Sequence, residues 1–313
     1  MIKHKRYSIF LAFLVMFLLP AAVMAQRGPL RNSRLYKGQS NYGIMRVTAG
    51  TGTSTYYGDL CESGDCLKAR PQFNVGFNYR FTGRFTVRGE LSYNRLYSTD
   101  KGGKNARRNL SFRSGNPEIH VAGVFDIFPH TKFYNQRQLV RPYAFAGIGL
   151  TYISPRAELN GKWHSLAPLE TEGIAYKRLQ PVIPYGGGVT FKVNPYLDFS
   201  VEVGYRLTFS DYLDDVSTTF VRNSSIDGIG AALADRSQEV GVKPYDTDDG
   251  IHWKEGHKRG NPGNNDGYVN VGFKLEYTLN PVIRPKLNVF GQPRKPRFLS
   301  PKKMSISGKR KPR

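Results

Sequence analysis

The sequence predicts an all-β fold: an eight-stranded antiparallel transmembrane barrel in the outer membrane of a Gram-negative bacterium, with long outer loops. Three observations lead there. An export signal opens the chain, no second long apolar run follows it, and period-two alternation recurs along the rest. Without a second apolar run, strands must do any membrane crossing, because only helices and closed barrels satisfy every backbone group in lipid.

The first element is the signal peptide, residues 1–25. Lys3, Lys5 and Arg6 form a basic n-region, Ile9 to Val23 form an apolar core, and Val23-Met24-Ala25 precedes the expected cut before Gln26. The apolar run is shorter than the ~20 residues a spanning helix needs, which argues against an uncleaved anchor. No cysteine follows the cut, so a lipoprotein anchor is not expected. Residues 26–41 form a basic segment carrying Arg27, Arg31, Arg34 and Lys37 without an acid.

The barrel is expected over residues 42–279. Three segments alternate cleanly. In 72–81, Phe73, Val75, Phe77, Tyr79 and Phe81 oppose Gln72, Asn74, Gly76, Asn78 and Arg80. In 198–209, Phe199, Val201, Val203, Tyr205, Leu207 and Phe209 oppose Ser200, Glu202, Gly204, Arg206 and Thr208. In 268–277, Val269, Val271, Phe273, Leu275 and Tyr277 oppose Tyr268, Asn270, Gly272, Lys274 and Glu276. Weaker alternation marks 42–52, 85–97, 117–128, 142–153 and 182–193, which brings the strands to an even number. The abundance of Tyr (19), Phe (19) and Gly (33) suits aromatic girdles and closely spaced strands, and a mean hydropathy of −0.46 suits strands with one polar face.

A secreted β-sandwich is the competing class, but its second strand face would meet water. Here the polar faces carry charges of both signs, including Arg46, Arg88, Glu90, Asp126, Lys192, Glu202, Arg206, Lys274 and Glu276. Such charges can pair across the side-chain-filled lumen of a small barrel, and Glu202 with Arg206 is expected to be one coupled pair. A barrel this narrow leaves no open pore, so a diffusion porin is excluded.

Connections alternate in length. Thr82-Gly83-Arg84 and Asn194-Pro195 make tight turns and 129–141 is modest, whereas 53–71, 98–116, 154–181 and 210–267 are long. Short periplasmic turns and long extracellular loops would place both chain ends in the periplasm. Cys61 and Cys66 are the only cysteines, and in an exported chain they read as one small loop disulfide.

Residues 280–313 form a basic, Pro-rich tail. Arg284, Lys286, Arg294, Lys295, Arg297, Lys302, Lys303, Lys309, Arg310, Lys311 and Arg313 are spaced by six prolines and accompanied by no acid. That composition buries no core and is expected to be extended or disordered when free, reaching roughly 30–35 Å. Of the net charge of +22, three charges lie in the signal peptide and fifteen in 26–41 and 280–313, so the barrel region is nearly neutral. The tail suits a protein partner with an acidic face, or anionic lipid headgroups; nucleic acid is excluded by the compartment.

No catalytic set is expected, and neither is a small-molecule substrate. His120, His130, His164, His252 and His257 are scattered, and spacing pins none of them near a serine nucleophile, which counts against a lipid-modifying enzyme. No cofactor is required. Asp246-Thr247-Asp248-Asp249-Gly250 has the flavour of a Ca2+ loop but lacks the downstream bidentate Glu.

Two motifs carry resemblances. Asn270, Gly272, Leu275 and Tyr277 resemble the β-signal that outer-membrane insertion machinery reads on last strands, although the chain here runs 36 residues further. Gly50 to Leu60, with Gly52 and the run Tyr56-Tyr57-Gly58-Asp59-Leu60, resembles the Gly-rich Tyr-x-Gly-Asp-Leu segment of PorG-like barrels of Bacteroidetes type IX secretion systems. Ala144 to Leu150 is also similar, in a pattern many small barrels share. The resemblance covers the barrel, not the tail. It implies a non-enzymatic component of a secretion machine, held in outer-membrane lipid above a periplasmic ring that contains a lipoprotein. The rival readings are a generic structural or adhesive barrel acting through its loops and, less well supported, the lipid-modifying enzyme.

Overall fold

A computed structural model describes residues 41–61, 68–103, 105–131, 136–222, 226, 228–241 and 255–279. The signal peptide, nearly all of 26–41, the 246–250 loop and the tail 280–313 lie outside the described residues.

The described residues form ten strands: β1 (Met45–Tyr57), β2 (Arg70–Arg80), β3 (Phe85–Thr99), β4 (Ser111–Asp126), β5 (Val140–Tyr152), β6 (Pro155–Leu159), β7 (Lys162–Ser165), β8 (Leu179–Lys192), β9 (Leu197–Thr208) and β10 (Gly267–Thr278). Eight of them (β1 to β5 and β8 to β10) pair antiparallel in a ring. Pairing of β10 with β1, from Arg46 with Thr278 to Tyr57 with Gly267, completes the circuit, so the barrel has no free edge. The eight strands are those expected from alternation, but their bounds differ. β3 and β4 run 15 and 16 residues, against the ~9–11 a tilted crossing needs, so this hairpin projects well beyond the bilayer on the long-loop side.

The connection 154–181, read as loop from sequence, contains the β6–β7 hairpin. Asn160 and Gly161 both adopt positive φ at its turn (51° and 75°), the geometry of a two-residue hairpin turn. Two residue pairs, Arg113 with Arg156 and Ser114 with Pro155, attach this hairpin to β4.

Side-chain polarity gives the barrel its sidedness. Phe73, Phe77, Ile119, Val121, Phe273 and Leu275 are each at least half exposed on the outer wall, where lipid covers them. Arg46, Arg88, Glu90, Asp126, Glu202, Arg206, Lys274 and Glu276 are buried in the lumen as expected; Lys192 is only partly buried. Among the described residues no helix is long and apolar enough to span a membrane.

The tight turns form where their side chains can replace backbone partners. Thr82 Oγ1 accepts from the amides of Arg84 (3.3 Å) and Phe85 (3.1 Å). Asn194 Oδ1 accepts from Tyr196 and Leu197, both at 2.8 Å. These are local side-chain turns of the kind Thr and Asn favour. At the opposite end the long loops fold back on the mouth and build an apolar core from Tyr56, Leu96, Phe112, Ile153, Leu213 and Tyr268.

Candidate functional site

Two features of the barrel bear on function: a lumen closed by ion pairs and a cap closed by loops. In the middle of the lumen, Arg88 bonds Glu202 at 2.5 Å, while Lys274 bridges Glu90 (2.6 Å) and Glu202 (2.8 Å). Tyr143 donates to the same Glu202 at 2.8 Å. Arg206 does not pair with Glu202, contrary to the sequence expectation; its near carboxylate is Glu118, at 3.6 Å. Glu118 also receives the Tyr268 hydroxyl at 2.5 Å and lies 2.8 Å from His120 Nδ1.

Toward the short-turn rim, Asp198 takes Arg137 (2.7 Å) and Arg141 (2.6 Å), and Arg46 takes Glu276 (3.3 Å). His130 bonds Asp126 at 2.9 Å and meets Arg80 at 3.0 Å. Burial holds the His130 imidazole down at about 3, with Asp126 opposing and Arg80 and Arg141 reinforcing. The void among Arg46, Asn78, Arg88, Arg141 and Glu276 measures about 20 Å³, room for a single water. Paired side chains fill this stretch of the lumen, as the narrowness of an eight-stranded barrel requires.

The family-like segment of β1 and the residues after it build the cap. Gly52 faces Gly272 across the β1–β10 seam, and a Cβ on Gly52 would collide with the Val271 carbonyl. Tyr56 is buried, and its hydroxyl sits 2.6 Å from both Asp214 and Asp266. Burial raises both acids well above the usual carboxylate range. Gly58 is compelled, since a Cβ there would run into the Asp266 carboxylate and the Tyr56 hydroxyl. Asp59 is buried and accepts from the Asn261 amide at 2.5 Å, and its carbonyl accepts from Arg108 at 3.0 Å. The Leu60 carbonyl accepts from Ser98 at 2.6 Å and its side chain joins the apolar core. Tyr57 points outward.

Other loop residues complete the cap, and sequence pattern did not single them out. Glu172 takes Arg259 at 2.7 Å and the amides of Ser217 and Thr218 at 2.9 Å. Arg108 grips Asp100 through two bonds of 2.8 Å. Asp215 accepts from Tyr176 at 2.6 Å and from Thr171 at 2.5 Å, and burial pushes its carboxyl up to about 6 against the pull of Arg259. These acids lie in stretches that read as solvated loop; only their partners, far away in sequence, reveal them.

The remaining expected residues fall as follows. On β10, Asn270 is buried and accepts from Ser54 at 2.7 Å, while Leu275 and Tyr277 face lipid. Cys61 is half-buried beside the cap core; Cys66 lies outside the described residues. The eleven tail cations, His252 and the 246–250 acids also lie outside them. His164 is on β7, and His257 is exposed in the last loop. Among the described residues no group of three His, Cys, Asp or Glu side chains could hold a metal ion.

No curated protein matches the sequence. Solved barrels resemble the fold at low identity. Ail of Yersinia pestis, solved with the heparin analogue sucrose octasulfate, is 14% identical, with a TM-score of 0.37 over 76% of this chain and 99% of its own. Neisserial surface protein A is 11% identical (TM-score 0.38; 75% and 97% covered). OprG of Pseudomonas aeruginosa is 13% identical (TM-score 0.38; 77% and 97% covered). The model of the outer membrane protein beta-barrel domain family matches residues 11–226, more than half of the chain. With that match joined to a closed ring of strands, a lipid-facing apolar wall and an ion-paired lumen, the chain belongs to the outer-membrane protein β-barrel domain family.

Proposed function

We propose that this barrel is a non-enzymatic component of a secretion machine of the type IX kind, docking a periplasmic ring complex through its two basic termini. The observation that carries the reading is the place where the barrel ends. The Leu279 amide bonds the Met45 carbonyl at 3.1 Å, and the Thr278 amide bonds the Tyr196 carbonyl at 2.8 Å, so both ends of the barrel leave at the short-turn rim. Segments 26–41 and 280–313, which continue from those ends, hold fifteen cations and no acid. Short turns face the periplasm in outer-membrane barrels, which supports a periplasmic address for this charge. The PorG-like segment supports the same assignment, and the filled lumen argues for an anchor rather than a conduit.

Deletion of 280–313 tests the reading. The shortened protein should reach the outer membrane and keep its heat-dependent gel mobility, yet lose co-purification with the ring lipoprotein and lower cargo secretion. Binding by the full-length protein should weaken as salt rises, because exposed charge attraction is screened over ~8–10 Å. Unchanged ring binding and secretion by a stably inserted, tail-less barrel would overturn it and leave the generic structural barrel standing.

A further inference from the structure

The lumen neutralises nearly every arginine it holds, but the outer wall treats four others differently. Where β3, β4 and the β6–β7 hairpin rise above the bilayer, a cleft of about 470 Å³ opens on their outward face. Arg70, Arg95, Arg113 and Arg156 line it together with Tyr97 and Trp163, and among the described residues no carboxylate does. All four arginines are exposed, and among the described residues none makes an ion pair. The acid that shares a strand face with them, Glu158, lies two residues beyond Arg156 and forms no ion pair among the described residues either.

Two observations distinguish this cleft from a solvated charged surface. The first is strand register. Arg113 of β4 sits directly opposite Arg156 of β6, and like charges facing each other across a ladder are destabilising. The second is orientation. The Arg113 guanidinium stacks 3.4 Å from the centre of the Trp163 ring, and Arg70 lies 4.4 Å over Tyr97. Stacking fixes the guanidinium planes and leaves their N–H edges free for two-pronged contact with phosphate. Arg113 and Arg70 are thus held by rings rather than by a carboxylate among the described residues, with Arg95 and Arg156 beside them in the cleft.

Height in the membrane indicates which anion. On the outward face of β3 the order is Leu91, Tyr93, Arg95, Tyr97, and on β4 it is Ile119, Pro117, Gly115, Arg113. Apolar rows end at Tyr93 and Pro117, and the cations begin one row above. Alternate residues rise ~6.6 Å, so Arg95 and Arg113 stand within roughly 7–13 Å of the last lipid-facing row, at headgroup depth. A Cβ on Gly115 would collide with the Tyr93 hydroxyl, so glycine there lets the belt tyrosine reach the cleft floor. The volume falls in the roughly 300–1,000 Å³ range of small-ligand sites.

We infer that this cleft binds the phosphate-bearing sugar headgroup of an outer-leaflet glycolipid, with Arg95, Arg113 and Arg156 clamping the phosphates. The inference rests on the long-loop end facing outward, as the proposed function also requires. It does not depend on the tail or on a ring partner.

The full-length protein in phosphatidylethanolamine nanodiscs provides the test. Bisphosphorylated lipid A, or lipid A stripped of its phosphates, is included, and retention is read by native mass spectrometry. The variant Arg95→Gln/Arg113→Gln/Arg156→Gln should retain bisphosphorylated lipid A at least tenfold less, whereas Arg222→Gln, at an exposed outer-loop cation paired with Glu255, should retain it normally. Arg156→Gln alone should raise stability in lipid A-free nanodiscs by relieving the facing charges, while still weakening retention; a merely structural arginine would not give that combination. Equal retention by the wild type and the triple variant, or of the phosphate-free lipid, would overturn the site. Arginine-dependent binding of soluble dextran sulfate without lipid A retention would overturn the membrane source. Failure of Gly161→Cys to label in intact cells would instead refute the outward orientation, whatever the nanodiscs show.

Discussion

The lumen quartet of Arg88, Lys274, Glu90 and Glu202 offers a quantitative test of how this barrel is held together. The four charges sum to zero, and all four residues are buried. Glu202→Gln leaves two cations facing Glu90 alone, and Arg88→Met leaves two carboxylates facing Lys274 alone. Either change strands one charge in a low-dielectric interior, at a cost of about 3–5 kcal/mol. Making both changes restores neutrality around Lys274 and Glu90, so the double variant should lose little more than one single does. The expected coupling is about 3 kcal/mol or more, the high end for residues in direct contact. Pairing Glu202→Gln with Arg206→Met should show weaker coupling, roughly 1 kcal/mol, because Arg206 lies nearer Glu118. Reversible urea unfolding in lipid vesicles, followed by gel mobility and circular dichroism, gives the free energies. Additivity of Arg88 and Glu202 within about 0.5 kcal/mol would refute the reasoning and mean that water reaches these charges.

Acid should affect the two ends of the barrel in opposite directions. Asp215 keeps its proton to about pH 6 when folded but loses it near 3.8 when unfolded, so the cap loses stability as pH rises from about 4 through 6. His130 stays neutral to about pH 3 when folded but protonates near 6.5 when unfolded, so the short-turn rim loses stability as pH falls below 6.5. Hydrogen exchange at pH 4.5 and 7.5, corrected for intrinsic rates, should show segment 210–220 better protected in acid and 127–131 worse; a shift in the same direction at both ends would contradict the assignment. Thiol labelling of intact cells should detect Cys61 and Cys66 only after reduction, and because the closed loop is tiny the barrel should survive loss of the bond, worth at most roughly 2–3 kcal/mol. Labelling without reductant would rule the disulfide out.

The barrel was legible in the sequence because lipid imposes one rule on every strand at once. Alternation in 72–81, 198–209 and 268–277 had to place Phe73, Val203 and Phe273 outside and Asn74, Glu202 and Lys274 inside, and it does. What escaped notice was structure not governed by the bilayer. The β6–β7 hairpin has only five and four residues, too few for an alternation test, although its Asn160-Gly161 turn is a strong local signal. The lumen pairs escaped for a geometric reason. Glu202 and Arg206 share a face, but four residues of strand hold them ~13 Å apart. Glu202 instead meets Arg88 on β3, a strand it does not adjoin, and that contact depends on how the ring closes rather than on spacing. The cap is the extreme case: Tyr56 meets acids 158 and 210 residues away.

Strand parity also separates the arginines of β3. Arg88 has the parity of Glu90 and Asn94 and lies inside; Arg95, seven residues on, has the parity of Leu91 and Tyr93 and lies outside. An outward arginine at mid-membrane would cost about 2–4 kcal/mol, falling to about 0–1 near the interface. The sequence therefore constrained the height of Arg95: either β3 outruns the bilayer or the assignment of its face is wrong. The structure resolves this in favour of length, with β3 continuing to Thr99 and β4 starting at Ser111. The same extension lifts Arg113 out of the apolar rows and brings it beside Arg156. Charge that would be untenable in the hydrocarbon becomes, two rows higher, a concentration of guanidinium groups at the level of lipid phosphates. Removing two residues from each arm below the arginines, Thr86-Val87 and the facing Gly123-Val124, should leave the ring of eight strands intact and lower the arginines into lipid. Such a barrel should still insert but unfold at lower urea than the wild type; unchanged stability would mean that Arg95 and Arg113 stand higher above the membrane than β3 and β4 place them.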